Sequence, residues 1–249
     1  MRDEKNIFFF VFCFILNLKC EEIRKNLLND KSLLFYVPFD FSVDAETAFH
    51  NKEGKLYGEA KYEKGIVENC IFLSEEGKGS ISYDIRDNIS LKKGTLMFWF
   101  KPNWWGDDKT GKYTLLWIRM KDPNKYFAFH KSFSKEYPTI LYTTCAWEGG
   151  ANLHIDDYFK KGKWIHICST WDASQNKYLL YFNGKVVASG NWKDVSEEES
   201  FIPISLSIGK YYTQDNPINA WYDEFYIFKR VLSEEEIKKY YNETKPKEE

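Results

Sequence analysis

Two sets of side chains in this chain have types and spacings that could do chemistry. The first is a group of aromatic rings at turns, beside polar residues. Trp104-Trp105 precede Gly106, Asp107 and Asp108; Trp147 precedes Glu148-Gly149-Gly150; Trp192 follows Gly190-Asn191; and Tyr211-Tyr212 follow the apolar segment Ile204–Gly209. Sugar faces carry C–H groups that stack on aromatic rings, and their hydroxyls need carboxylates and amides nearby. Asp107, Asp108, Asn152 and Asn216 could supply these. The competing reading is that the rings cap the ends of a sandwich as packing. The second set is carboxylates in apolar company. In Ala220–Phe228, a period of two places Trp221, Asp223, Phe225 and Ile227 on one face. A carboxylate among large apolar side chains must find a partner.

Other chemistry is poorly represented. No GxSxG elbow, P-loop or HExxH occurs. The four histidines (His50, His130, His154, His166) have no ligand spacing and read as structural or surface residues. Beyond the N-terminal region, Cys70, Cys145 and Cys168 are odd in number and match no zinc pattern, so they read as small buried residues. Cys145 and Cys168 could alternatively pair across neighbouring strands. With 35 Lys+Arg against 37 Asp+Glu, the net charge is -2, which leaves no footprint for a phosphate backbone, so no nucleic-acid partner is expected. An aromatic content of 18% excludes disorder over most of the length.

The first residues stand apart. Ile7–Leu18 is apolar except for Asn17 and follows a charged start. Twelve helical residues rise about 18 Å, short of the roughly 30 Å hydrocarbon core, so no transmembrane helix is expected. The length suits the apolar region of a signal peptide. Cys20 stands where a bacterial lipoprotein carries its acylated cysteine, although Lys19 is larger than the small residue preferred there. Residues 1–20 therefore read as a signal peptide or lipoprotein-type leader, residues 30–242 as one domain, and residues 243–249 as a frayed, disordered tail. An extracellular or cell-envelope location follows. Asn88 and Asn242 head glycosylation sequons.

The elements that must position these residues are strands. Leu33–Phe39, Ile66–Leu73, Ser80–Asp84, Thr95–Lys101, Tyr113–Met120, Tyr126–His130 and Thr139–Ala146 are rich in β-branched or aromatic residues and bounded by turn formers. So are Trp164–Trp171, Lys177–Phe182, Lys185–Ser189, Ile204–Gly209 and Ala220–Phe228. Asn183-Gly184 fits a type I′ hairpin turn. Thr95–Phe100 (TLMFWF) is apolar on both faces, as in a strand covered on both sides. Ser233 with Glu236 forms a capping-box pattern, so one short helix closes the chain. The expected class is all-β, a two-sheet antiparallel sandwich with a short C-terminal helix.

In order, the chain presents FYVPFD (Phe35–Asp40), GTLMFWFKP (Gly94–Pro102) and GKWIHICSTWDASQNKYLLYFNGKVVASG (Gly162–Gly190). ISLSIGK (Ile204–Lys210) and WYDEFYIFKRVLSEEEIKKYY (Trp221–Tyr241) follow. This arrangement resembles the laminin-G-like jelly-roll domains of the concanavalin A-like lectin/glucanase superfamily. The resemblance implies two packed antiparallel sheets of about 13 strands, the first and last side by side. It also implies a structural Ca²⁺ between the ends of those strands, for which Asp40, Asp44 and Asp223 are the candidate ligands. Hydrolytic members use a Glu-x-Asp-x-x-Glu strand, and no Glu-x-Asp occurs in this chain. The expected function is an exported, non-catalytic binding module for a glycan or glycosylated surface, with Trp104, Trp105, Trp147, Trp192, Tyr211 and Tyr212 as candidate ligand contacts. A structural or adhesion protein with a protein partner is the alternative, and a glycan-degrading hydrolase is the third reading.

Overall fold

The computed structural model describes residues 20–108, 112–132, 140–145, 149–154, 157–210 and 217–246. A helix over residues 20–28 (α1) comes first. Then come β1 (Leu33–Val37), β2 (Thr47–Ala48), β3 (Gly54–Tyr57), β4 (Ala60–Lys64), β5 (Asn69–Leu73), β6 (Ser80–Asp84) and β7 (Lys93–Pro102). They are followed by β8 (Tyr113–Met120), β9 (Tyr126–Ser132), β10 (Ile140–Cys145), β11 (Gly149–His154) and β12 (Ile165–Asp172). The chain continues through β13 (Lys177–Phe182), β14 (Lys185–Trp192), β15 (Pro203–Ile208), β16 (Ala220–Phe228) and α2 (Glu234–Thr244).

The strands build two antiparallel sheets. The first runs β2-β1-β16-β7-β12-β13-β14, and the second runs β11-β10-β9-β8-β15-β6-β3. Along its other edge β16 pairs first with β5 and then with β1, and β4 lies outside β5. First and last strands are therefore neighbours, as the resemblance implies. Sixteen strands among the described residues exceed the expected 13. Of those that local sequence patterns do not reveal, β2 has two residues, and β3 and β4 are largely exposed edge segments with little apolar alternation.

The two-faced apolar strand behaves as its composition demands. Leu96, Phe98 and Phe100 of β7 point between the sheets, while Met97 and Trp99 point outward into a second apolar cluster with Ile237 and Tyr240 of α2. Phe98 sits at the centre of the main core, with ring centroids of Phe129, Tyr222 and Phe225 at 5.7–6.1 Å. Asn183 and Gly184 adopt positive φ (52° and 74°), as the type I′ turn requires. The capping box of Ser233 and Glu236 is formed.

Several expectations change. The domain begins before residue 30: α1 packs on the fold, with Ile23 buried in the second cluster together with Ile237 and Tyr240 of α2. Cys20, the expected lipid attachment point, is buried, and its thiol faces the Glu243 carbonyl at 3.4 Å. The tail begins later than expected. Helix α2 runs to Thr244, which is buried and whose hydroxyl donates to the Tyr240 carbonyl. Cys168 carries a free thiol, so it does not pair with Cys145: it lies on the outer face of the first sheet, whereas β10 belongs to the second. Asn88 is fully buried, and its side-chain oxygen accepts from the Phe49 and His50 amides, so it serves as a loop brace rather than a glycan acceptor.

The two sheets join where the end of β14 meets β11, Gly149 opposite Trp192 and Gly150 opposite Asn191. A Cβ on Gly190 would sit 1.7 Å from the Gly150 carbonyl oxygen. Gly190→Ala is therefore expected to pry this junction apart and cost about 1–3 kcal/mol, read as a lower urea midpoint with an unchanged slope.

Candidate functional site

The turn aromatics divide by burial. Trp104 is buried, stacks on Tyr113 (4.8 Å, 14°) and donates from Nε1 to the Ile218 carbonyl at 2.8 Å. Trp192 is also buried, stacks on Tyr178 (5.7 Å, 13°) and donates to the Leu91 carbonyl at 2.7 Å. Both are packing rings with satisfied N–H groups, and neither is available to a ligand. They lie at opposite ends of the sandwich: Trp104 follows the last residues of β7, while Trp192 contacts Trp171, which pairs with Gly94 at the start of β7. Trp105 is 52% exposed, and Asp107 and Asn152 are exposed near the same sheet ends. Trp147, Tyr211, Tyr212 and Asn216 lie outside the described residues.

The carboxylates gather differently from the period-two expectation. A β-bulge interrupts the pairing of β16 with β7 between Asp223 and Tyr226, and Glu224 takes positive φ (53°). The bulge inserts a residue, so Asp223 does not share a face with Phe225 and Ile227, which enter the main core. Asp223 instead points outward under the β4–β5 turn, where its Oδ2 accepts from the amides of Ile66 (2.6 Å) and Val67 (3.3 Å). Its Oδ1 has no hydrogen-bond partner among the described residues. Burial, with Glu224 alongside, pushes the Asp223 carboxyl well above the usual range. Glu224 is buried too, and accepts from Arg24, the Tyr36 hydroxyl at 2.9 Å and the Tyr226 hydroxyl. Asp40 Oδ1 accepts from the Asn69 amide at 2.9 Å, and its Oδ2 lies 3.1 Å from Arg24 Nη2.

This arrangement does not fit the calcium ion that the resemblance implies. Ca²⁺ needs six to eight oxygens with free lone pairs. Here an amide and a guanidinium take the two oxygens of Asp40, amides take Asp223 Oδ2 and leave only Oδ1 open, and Asp44 is engaged elsewhere, accepting from the Gly54 amide at 2.9 Å. Among the described residues, no three His, Cys, Asp or Glu side chains are placed to share a metal.

The outer face of the second sheet offers a better site. Register places Lys55 opposite Ser82 and Ser82 opposite Ser207, with Asp84 opposite Ser205. Lys55, Ser82, Asp84 and Ser205 line an open hollow of about 320 Å³ together with Tyr57 and Arg86. Tyr57 is 54% exposed, so its ring is free to meet a ligand. Arg86 also borders a wider hollow of about 740 Å³, which has Phe49, Ile202 and Pro203 on its walls and Lys92, Lys93 and Lys229 at its rim. Arg86 donates to Asp84 and holds that carboxyl below the usual range. Sequence reasoning missed this site because β3 is a short edge strand. The available signal was Lys-Leu-Tyr between Gly54 and Gly58.

A third aromatic cluster lies on the first sheet. Lys101 sits over the rings of Trp221 (4.1 Å) and Trp164 (4.9 Å), Trp221 stacks on Phe72, and the Trp221 indole donates to Glu63. Phe72 and Lys101 cover the faces of Trp221, which makes the cluster a brace across β4, β5, β7 and β16 rather than a platform.

The histidines carry a pH consequence. Burial lowers His166 to about 3, and its ring contacts Trp99 and Tyr240 without a hydrogen-bond partner among the described residues. Burial and Lys112 lower His130 to about 4. Each is neutral in the folded state and titrates near 6.5 when unfolded. Their stability contribution is thus complete above pH 6.5 and lost as pH falls toward the folded values. His166→Phe is expected to lessen the acid loss by about 2 kcal/mol between pH 7 and pH 5, measured by urea unfolding at both values. Trp104→Ala is expected to cost about 3–5 kcal/mol and Trp105→Ala less than about 0.5 kcal/mol in the same assay.

Comparison with known proteins agrees with the jelly-roll fold. A domain of an extracellular arabinanase from Geobacillus stearothermophilus, solved in complex with arabinotriose, superposes with a TM-score of 0.64 at 19% identity, covering 84% of this chain and 98% of that one. A botulinum neurotoxin type C structure, whose cell entry is described as dependent upon interaction with two ganglioside molecules, gives 0.64 at 16% identity. There 86% of this chain is matched, but it spans only 52% of the toxin chain. The mouse (Mus musculus) pentraxin-related protein PTX3 is 28% identical over 98 residues, 34% of this chain and 25% of its own length. A family model described as the concanavalin A-like lectin/glucanases superfamily matches residues 76–238, more than half of the chain, and the protein belongs to that superfamily as a laminin-G-like jelly roll.

Proposed function

We propose that this protein is an exported, non-catalytic binding module that holds a glycan in the hollow between β3, β6 and β15. The observation that carries this reading is the company Tyr57 keeps. A half-exposed ring stands in one hollow with a carboxylate, two hydroxyls and two cationic groups, at Asp84, Ser82, Ser205, Lys55 and Arg86. A sugar presents C–H faces to such a ring and hydroxyls to such polar groups. Two relatives that share the fold at 16–19% identity are associated with arabinotriose and with gangliosides, and a sugar is the ligand chemistry that the polar groups around Tyr57 suit.

Hydrolysis is less well supported. A glycosidase needs a carboxylic acid raised enough to protonate the leaving group. Asp84 is shifted the opposite way by Arg86, and the Glu-x-Asp-x-x-Glu strand is missing. Export rests on the apolar run Ile7–Leu18. No helix among the described residues is long and apolar enough to cross a membrane. The second reading, a protein partner, is favoured by Phe41 in the loop after β1 and Phe49 just after β2, which are 74% and 75% exposed.

A glycan array probed with the full chain tests the proposal. Binding to at least one sugar class is expected, with Tyr57→Ala and Asp84→Asn each weakening it about tenfold or more at an unchanged melting midpoint. Absence of binding to every sugar, with a stable protein partner recovered through Phe41 and Phe49, favours the second reading. Reducing sugar released from mixed polysaccharides overturns the non-catalytic assignment.

A further inference from the structure

We propose that Arg24 is the resident cation of this sandwich, a covalently attached substitute for a metal ion between the first loop and the last strand. Its guanidinium reaches oxygens from three separate elements. Nε and Nη2 donate to Glu224 of β16, with Nε at 3.0 Å. Nη2 also lies 3.1 Å from Asp40, just after β1, and 3.4 Å from the Val67 carbonyl in the β4–β5 turn. The side chain is 12% exposed, and that of Glu224 is fully buried.

The balance of charge requires such a group. Two carboxylates converge here, Glu224 at the bulge and Asp40 beside it, and a third, Asp223, is buried next door. Removing ionised carboxylates from water without a counter-charge is prohibitive. A guanidinium meets this need because it is planar, weakly hydrated, always charged and able to donate along several directions at once. Two neutral donors, the hydroxyls of Tyr36 and Tyr226, complete the shell around Glu224. The rings of these tyrosines stack at 4.4 Å, which fixes both hydroxyls on the same carboxylate.

The arrangement also explains why α1 belongs to the domain. Its apolar contribution is modest, with Ile23 buried and Leu27 and Leu28 partly so. Arg24 adds an ionic tie that holds α1 against β16. The helix therefore supplies what an ion would have supplied, and the fold has no need of calcium.

Thermal melts of the full chain test this in four parts. The wild type is expected to melt at the same temperature in EDTA and in millimolar calcium. Arg24→Ala is expected to melt about 10 °C lower, since it leaves buried carboxylates unpaired. Adding guanidinium ion at tens of millimolar to Arg24→Ala is expected to recover part of that loss, whereas sodium at equal ionic strength does not. Arg24→Lys keeps the charge without the fork and is expected to fall between the two. If Arg24→Ala does not fold, an intermediate melt for Arg24→Lys, unmoved by EDTA, carries the test. A wild-type midpoint that drops in EDTA, or Arg24 variants that melt like the wild type, overturns the proposal.

Discussion

A buried carboxylate at a β-bulge sets the terms for the first sheet. Glu224 turns outward with left-handed backbone, and the bulge separates two halves of one strand. Residues 220–222 pair with β5, while residues 225–228 pair with β1. The gap between those two partners is where Asp223 and Glu224 emerge. A regular strand would have sent one of these acids into the main core among Phe98, Tyr222 and Phe225. The bulge directs both to the outer face, where backbone amides, two tyrosine hydroxyls and a guanidinium can meet them. Burial that would be prohibitive for a lone charge becomes a fixed point joining α1, the first loop, the β4–β5 turn and the last strand.

Much of the fold was legible because strand cores are local. TLMFWF, the Asn183-Gly184 turn and the Ser233–Glu236 cap each carry their own physical reason within a few residues, and each formed as read. What failed was whatever depended on distant partners. Counting by two along β16 cannot detect an inserted residue, so Asp223 was assigned the face of Phe225. The segment over residues 20–28 has only Ile23, Leu27 and Leu28 as large apolar groups among four charges, and nothing within it announces that Arg24 is buried. Trp104 and Trp192 looked available because they flank turns. Their indole N–H groups reach backbone carbonyls, and this lets large rings close the ends of the sandwich at no polar cost. The hollow around Tyr57 went unread because its floor comes from short side chains on three strands that are far apart in sequence.

The ionic tie and the proposed glycan hollow occupy different surfaces. The ionic tie lies on the outer face of the first sheet, and the hollow with Tyr57 and Asp84 lies on the second. The main aromatic core separates them. Residues around the proposed hollow, such as Lys55 and Ser205, lie apart from the buried charges, and this surface can change without reopening them. A fold that hosts many specificities benefits from such a division.

The ionic tie also has a consequence for the order in which the molecule comes together. Arg24 and Glu224 are 200 residues apart, and Cys20 faces a carbonyl 223 residues away. At roughly 5–20 residues per second, the ribosome releases the last strand about 10–40 s after the helix that must grip it. Throughout that interval Asp40 is present but Glu224, the fully buried carboxylate that Arg24 grips, is not, so the tie between α1 and β16 stays unmade. Helix α1 and β16 thus act as a clasp on this domain, and its ionic tie closes only once β16 has emerged.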